Sequence, residues 1–363
     1  MREGWIYKKL GEVCEVLDSL RKPVTKKDRT KGVYPYYGAS GIQDYVDSYI
    51  FDGRYLLVGE DGAKWGASDK SAYIIEGKSW VNNHAHILAV SADYSDTFIE
   101  YYLTFKDLSQ YITGAIVPKL TQKSLVSIPI PIPSLSEQQS IVAELDKINE
   151  LINLKKAQLS DLDSLAQSIF YDMFGDPITN EKGWEVKKLG EVSVFPSKRV
   201  NIADLTPSQY IGVENLRKDK KGVEFSQTLP NADKAIEFIT DDILIGNIRP
   251  YLRKIWISNI NGGASGDVII VRKNTPSIMP MYLFKVLSTE TFFEYDNANT
   301  HGAKMPRGDK KMIELFPIPL PPLSLQQDFA KRIELIEQQK AQISSTIKDL
   351  ETLLASRMQY WFD

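Results

Sequence analysis

The chain of 363 residues is 43% hydrophobic and 25% charged, proportions that exclude disorder throughout and, at this length, point to two domains of ordinary size. It holds no apolar run of about eighteen residues and no apolar stretch behind its charged N-terminus, so no membrane partner is expected and the cytoplasm is the expected compartment. Its single cysteine, Cys14, leaves neither a disulfide nor a cysteine-based zinc site, and the net charge of −3 argues against a nucleic-acid partner only if charge is spread evenly. It is not: residues 1–133 are neutral, 134–176 carry −5, 177–322 carry +3 and 323–363 carry −1.

Along the chain, Gly4-Trp5-Ile6-Tyr7-Lys8-Lys9-Leu10-Gly11-Glu12-Val13 comes first, and it returns as Gly183-Trp184-Glu185-Val186-Lys187-Lys188-Leu189-Gly190-Glu191-Val192, identical at eight of ten positions. Short β-rich runs follow in the first copy, at Tyr55–Val58 and Ala72–Ile75, with a helical pattern at Thr97–Ser109. The strip Pro129-Ile130-Pro131-Ile132-Pro133-Ser134-Leu135-Ser136-Glu137-Gln138-Gln139 closes that copy, answered in the second by Pro317-Ile318-Pro319-Leu320-Pro321-Pro322-Leu323-Ser324-Leu325-Gln326-Gln327. Between those borders the second copy has its own β-rich runs at Asp242–Ile245 and Asp267–Val271, and a helical pattern at Met281–Tyr295. The chain is a tandem duplication with common borders and divergent interiors.

After each strip the apolar residues keep one heptad register. The first arm reads Ile141, Leu145, Ile148, Ile152, Lys155, Leu159, Leu162, Ala166 and Ile169; the second reads Phe329, Ile333, Ile336, Lys340, Ile343, Ile347, Leu350, Leu354 and Arg357. Neither arm contains proline or an interior glycine, and Ser136 and Ser324 stand as N-caps. Helices of about 35 to 40 residues, about 55 to 60 Å long, are predicted. Helices with such a stripe bury it most simply against each other, through Ile141, Leu145, Ile148, Ile152, Leu159 and Leu162 on one arm and Phe329, Ile333, Ile336, Ile343, Ile347 and Leu350 on the other. The alternative is that each stripe packs only on its own domain. The expected division is 1–133, 134–176, 177–322 and 323–363, an α+β chain of two mixed α/β domains in tandem, each followed by a long helix.

Catalytic signatures are missing. Glu76-Gly77-Lys78-Ser79 resembles the end of a phosphate loop, but Ala72 stands where its first glycine belongs. Asp69 with Glu76 and Lys78 fits only a loose nuclease carboxylate pattern. His84 and His86 supply two ligands at most, and hydrogen-bonded strand or turn histidines are the better reading. No glycine-rich methyl-donor loop and no Asn-Pro-Pro-Tyr or Asp-Pro-Pro-Tyr motif occurs, so no catalytic residue, metal or cofactor is expected in this chain.

Basic loops are more informative. Residues 21–31 hold six cations against one anion, and Arg21, Lys22, Lys26 and Lys27 suit phosphate contacts. Lys64 in Asp61–Gly66, and Asn82, Asn83 and His84 in the next loop, are candidates in the first copy. In the second the candidates are Arg217, Asn247, Arg249 and Arg253, with Lys304 and Arg307 in the loop from Thr300 to Arg307. Arginine forks suit guanine edges and asparagine amides suit adenine edges in the major groove. A duplicated scaffold without DNA binding is the rival reading.

These motifs, with Tyr36-Tyr37-Gly38-Ala39-Ser40-Gly41, Trp80-Val81-Asn82-Asn83 and Gly246-Asn247-Ile248-Arg249-Pro250-Tyr251, give the chain a resemblance over essentially its whole length to the specificity subunits of type I restriction-modification systems. Leu325 departs from the pattern where the first copy has Glu137. The resemblance implies two target-recognition domains, each reading half of a bipartite double-stranded DNA site, held apart by the two long helices paired as an antiparallel coiled coil. It implies docking of two modification subunits, and of restriction subunits that bring nuclease and translocase activity to an anti-phage defence complex. S-adenosylmethionine, ATP and magnesium would be used by those partners, not by this chain. A related possibility pairs the chain with one combined nuclease-methyltransferase polypeptide.

Overall fold

The computed structural model describes residues 4–302 and 304–363; Ala303, inside one of the basic loops, lies outside the described residues. The chain forms two compact units, one running to Ala157 and taking in Ser344–Asp363, the other spanning Gln158–Ile343.

In the first unit the chain runs through β1 (Ile6–Lys9), β2 (Cys14–Val16), β3 (Lys31–Gly38), β4 (Gly41–Val46), β5 (Phe51–Gly59), β6 (Ala72–Val81), β7 (Ala85–Val90), α1 (Asp96–Phe105) and β8 (Pro129–Ile132), then enters α2 (Leu135–Phe174). One six-stranded sheet has the order β2-β7-β5-β6-β3-β4, antiparallel except where Tyr36 and Tyr37 of β3 run parallel to Trp80 and Val81 of β6. The unbroken apolar run at the centre of β5 marks a strand covered on both faces. Leu56 and Val58 join Phe98, Ile99, Tyr102 and Leu103 of α1 in one core, while Leu57 joins Tyr73, Ile75 and Ile87 in another. Ser95 caps α1 by accepting the Phe98 N–H at 3.2 Å.

The second unit holds β9 (Glu185–Lys188), β10 (Ser193–Val194), β11 (Arg199–Asn201), β12 (Tyr210–Ile211), β13 (Lys234–Phe238), β14 (Ile243–Gly246), β15 (Ile255–Ile257), β16 (Gly262–Ala264), β17 (Val268–Lys273), α3 (Pro280–Leu287), α4 (Glu290–Ala298), β18 (Thr300–His301), β19 (Arg307–Gly308) and β20 (Pro317–Leu320), and α5 (Leu323–Phe362) begins there. Eight of these strands divide between two four-stranded sheets, β10-β17-β14-β15 and β11-β13-β16-β12, and β18 pairs with β19. The single helix expected over Met281–Tyr295 is two, because the Thr289 hydroxyl accepts the Phe292 N–H at 3.3 Å and caps a new start.

The repeated borders meet in space. β1 pairs antiparallel with β8, Lys9 opposite Pro129, and β9 pairs with β20 in the same register, Lys188 opposite Pro317. Two-stranded ribbons tolerate proline because each strand has an edge whose N–H groups need no partner. Each ribbon delivers the chain into a 40-residue helix. The cap of α2 is Ser134, whose hydroxyl accepts the Glu137 N–H at 3.3 Å, and not Ser136, which lies inside the helix. Ser324 is likewise inside α5, and Pro322 precedes its first turn.

The two helices pair antiparallel. In the first unit Glu144 is opposite Arg357 and Lys156 opposite Glu351, at 2.9 Å. In the second, Asp163 is 2.8 Å from Lys340. Ile141 and Leu145 pack with Met358 and Phe362 on the core behind α1, so the stripe serves the domain and the partner helix together. Ile148, Ile152 and Ile347 are buried as well, and Leu350 is half-buried. In the second unit Phe329, Ile333 and Ile336 are buried with Phe170 and Phe174, while Leu159, Leu162 and Ile343 are half-buried.

Phe329 is wholly buried, its ring 5.8 Å from Phe170 and 5.2 Å from Phe174. Phe329→Ala is expected to cost about 3 to 5 kcal/mol in chemical denaturation. A loss under about 1 kcal/mol would mean that the helix-to-core packing is not cooperative with the fold.

Candidate nucleic-acid interface

In the first unit the basic loop is a built structure. The Trp80 indole donates to the Lys22 carbonyl at 2.6 Å, and Tyr36 O–H receives the Val24 N–H at 3.1 Å. Arg29 lies 4.1 Å over the Tyr36 ring and pairs with Asp44 at 3.2 Å. The loop is thereby pinned with Lys22, Lys26 and Lys27 exposed. Trp80, Tyr36 and Arg29 hold it there, so Arg29, counted among the six cations of the loop, serves its structure.

Arg21 is corrected: it is half-buried and held in an ion-pair cluster, not a free surface contact. Its guanidinium is 2.5 Å from Glu60 and 3.2 Å from Asp18 and donates to the Ala85 carbonyl at 2.7 Å. His86, 1% exposed, joins Asp18 through Nδ1 at 2.5 Å and donates from Nε2 to the Leu120 carbonyl at 2.7 Å. Lys119 completes the cluster, 2.7 Å from Glu60, which raises its pKa above the ordinary value. Asp18, Glu60 and His86 could converge on a metal ion, but Arg21 and Lys119 already neutralise these carboxylates. No spacing in the sequence announces this cluster, because its members come from four separate segments.

Asn82 is the second correction. It is 2% exposed, its amide donates to Gln43 at 3.1 Å and its carbonyl oxygen takes the His84 N–H at 2.7 Å, so it shapes a turn. That turn displays Asn83 and His84, and His84 Nδ1 pairs with Asp61 on the adjacent loop, which also carries exposed Lys64. The loose nuclease triad does not assemble: Asp69 accepts the Gly66 N–H, Glu76 pairs with Arg54 and Lys78 lies over the Tyr49 ring.

In the second unit the structure brings the two basic loops together. The Arg249 N–H donates to the Pro306 carbonyl at 2.8 Å, Ile248 bridges to Arg307, and the Gly308 N–H donates to Asn247 at 3.3 Å. Arg249 and Arg253 both adopt left-handed backbone, at φ 53° and 50°, which costs about 1 kcal/mol or more each for a side-chain-bearing residue. Three of the candidate cations are already matched: Arg253 by Asp219 at 2.5 Å and Glu290 at 2.9 Å, Arg217 by Glu224 at 2.9 Å and Arg307 by Asp267 at 2.9 Å. Arg249 and Lys304 are exposed, with no such partner among the described residues.

Beneath this junction lies Asp296 of α4, 1% exposed, neither carboxylate oxygen of which has a hydrogen-bond partner among the described residues. A Cβ on Gly308 would stand 2.2 Å from Asp296 Oδ1 and 3.1 Å from Asn247 Oδ1, so glycine is required there. Burial pushes the Asp296 carboxyl up to about 7.

Two predictions follow from these groups. Arg21→Ala removes one partner from each of Asp18 and Glu60, leaving His86 and Lys119 to hold them, and should cost about 1 to 3 kcal/mol of stability, whereas Lys26→Ala should stay within about 0.5 kcal/mol; equal small losses in denaturant titrations would return Arg21 to the surface set. For Asp296 the folded chain holds the proton more tightly than the ordinary value of 3.8 allows, so stability present below that pH is lost as pH rises toward about 7. Asp296→Asn should remove that loss, gaining about 3 kcal/mol on wild type between about pH 5 and pH 8. A pH-independent difference between the two proteins would show that the carboxyl is not titrating there.

The chain matches the type I restriction modification DNA specificity domain twice, over residues 2–163 and 181–352. It is similar to a putative type I restriction enzyme specificity subunit of Haemophilus influenzae, 39% identical over 145 residues that cover 40% of this chain and 37% of that protein. Over most of its length it is similar to the type I restriction enzyme EcoDI specificity subunit of Escherichia coli, 21% identical with 91% and 80% of the two chains covered. It is likewise similar to the putative MjaX specificity subunit of Methanocaldococcus jannaschii, 23% identical with 97% and 93% covered. Its fold is that of a type I restriction-modification S subunit from M. genitalium, with a TM-score of 0.58 at 15% identity, covering 99% of this chain and 96% of that one. A chain from a structural study of complex assembly in a type I system gives 0.56 at 15% identity, with 100% and 98% covered.

Proposed function

Because the chain belongs to the type I restriction-modification DNA specificity family, we propose that it is the DNA-reading subunit of a type I restriction-modification complex, with each unit reading one half of a bipartite site. The observation that carries this reading is the duplication itself: two family matches, each entered by the same ribbon and followed by the same 40-residue helix, with unlike sheets between. Unlike interiors on one frame suit two unlike half-sites.

In the first unit the proposed reading surface takes the pinned loop with Lys22, Lys26 and Lys27 and the exposed Lys64, Asn83 and His84. In the second it is the junction of Asn247–Arg249 with the loop bearing Lys304. The lysines supply phosphate contacts that fix register, and Arg249 supplies a base contact. The chain itself is non-catalytic. It docks two modification subunits and the restriction subunits in the cytoplasm, and S-adenosylmethionine, ATP and magnesium act in those partners. No helix among the described residues is long and apolar enough to cross a membrane.

The test is to map methylated adenines in cells that carry the modification subunit with and without this chain, then with Arg249→Ala and Lys304→Ala. Methylation of a bipartite site should depend on the chain; Arg249→Ala should weaken recognition of one half-site, by about 1 to 3 kcal/mol per lost base contact, with the other half unchanged, and Lys304→Ala should weaken binding without changing which bases are read. Methylation or cleavage by the isolated chain, or equal loss of discrimination over both halves with Arg249→Ala, would overturn the reading. Retention of the motif with only a combined nuclease-methyltransferase present would reassign the partner.

A further inference from the structure

The duplication supplies an internal comparison. Gln138 and Gln326 occupy the same turn of the two long helices, and each accepts a backbone N–H at 2.8 Å, from Ser95 before α1 and from Met279 before α3. Six residues beyond those anchors stand Tyr101 and Lys285. In the first unit Tyr101 is latched onto the long helix: its O–H donates to Asp146 at 2.6 Å and accepts from Asn149 at 2.8 Å. In the second unit the residue answering Asn149 is Glu337, and Lys340 takes it at 3.0 Å together with Asp163 at 2.8 Å. Lys285 is left without a hydrogen bond or ion pair among the described residues.

Lys285 lines a cavity of about 730 Å³ within the second unit, a volume suited to a small organic ligand. Phe170, Trp256 and Phe284 give it aromatic walls, and Ser288 and Thr289 add hydroxyls. Other charges on its walls are matched, Lys220 by Glu290 at 2.8 Å and Asp219 by Arg253 at 2.5 Å, while exposed Lys221 adds positive charge. A partly desolvated ammonium with no direct ion pair is costly, and an anion entering from solvent offsets that cost. We propose that this cavity is a binding site for a small aromatic anion, a planar ring bearing a phosphate or a carboxylate, with the acid group on Lys285 and the ring among Phe170, Trp256 and Phe284. The site is independent of DNA reading.

Burial lowers the Lys285 pKa, against Glu337 and Asp163, which favour its charge, and Lys340 and Lys220, which oppose it. A bound anion favours the charged form and opposes that lowering. Calorimetric titration of the intact chain with adenosine monophosphate and with benzoate separates phosphate from carboxylate recognition; adenosine and benzyl alcohol are the uncharged counterparts. At least one anion should bind once per chain, and its counterpart should not. Lys285→Met should weaken binding by about tenfold or more, with Lys285→Arg retaining it. In the wild-type chain, acylation of Lys285 followed by mass spectrometry should slow when the anion is present, a readout that does not depend on how the variants fold. Absence of binding by both anions at millimolar concentration, equal binding by Lys285→Met, or unchanged acylation would overturn the site.

Discussion

The apolar stripe on each 40-residue helix must leave water, and no single neighbour covers it. At the start of α2, Ile141 and Leu145 are shared between the core behind α1 and the end of α5, where Met358 and Phe362 close over them. At the end of α2, Phe170 and Phe174 meet Tyr282 and the start of α5 at Phe329. Phe174 and Phe362 are equivalent residues of the two repeats, and both plug a helix end into a reader core. Each core is therefore completed by a segment remote in sequence, which is why each compact unit is discontinuous or cuts through a helix.

A second constraint explains which border residues survive duplication. Gln138 and Gln326 are 1% and 0% exposed, and a buried amide left unpaired costs about 1 to 3 kcal/mol. Both are satisfied in the same way, accepting the N–H that precedes a reader helix and donating to the carbonyl of Pro133 or Pro321. A shorter or charged side chain would leave one of those groups orphaned. Neighbouring positions carry no such demand and have drifted: Glu137 receives the Trp5 indole at 3.1 Å, but where Leu325 replaces it Trp184 donates instead to the Phe174 carbonyl at 2.9 Å. The departure at Leu325 thus exchanges one indole partner for another and leaves the helix start alone.

Features written in local or periodic patterns were legible in the sequence. The repeated borders, the β-rich runs of β5, β6, β14 and β17, the two long helices and the identity of their buried stripes all follow from such patterns. What was not legible depends on contacts between distant residues. Arg21 read as one of six loop cations because its partners Glu60 and the Ala85 carbonyl are brought in from distant parts of the chain, beside the local Asp18. Asn82 read as an amide for bases because its turn-forming bonds to Gln43 and His84 are tertiary. The break between α3 and α4 hung on one threonine hydroxyl that hydropathy does not register, and the cap at Ser134 rather than Ser136 on a two-residue shift in where the proline strip lets the helix begin.

The electrostatic consequence of that tertiary pairing is selective. Arg21, Arg217, Arg253 and Arg307 have their charge matched inside the chain, so they contribute little to the release of counter-ions from a polyanion. Lysines left exposed around the first unit's loop can provide that general attraction, while Arg249 is held differently. Its backbone sits in a strained left-handed conformation fixed by the Pro306 carbonyl and by the turn at Pro250–Leu252. Strain of this kind persists only where the surroundings over-determine it, and it aims one side chain at the cost of folding energy. With its loop already ordered, Arg249 loses less conformational entropy on contact than a lysine on a mobile loop would. The net charge of −3 is therefore compatible with reading DNA: attraction is kept small, and discrimination is concentrated in a few side chains whose positions are fixed by the fold.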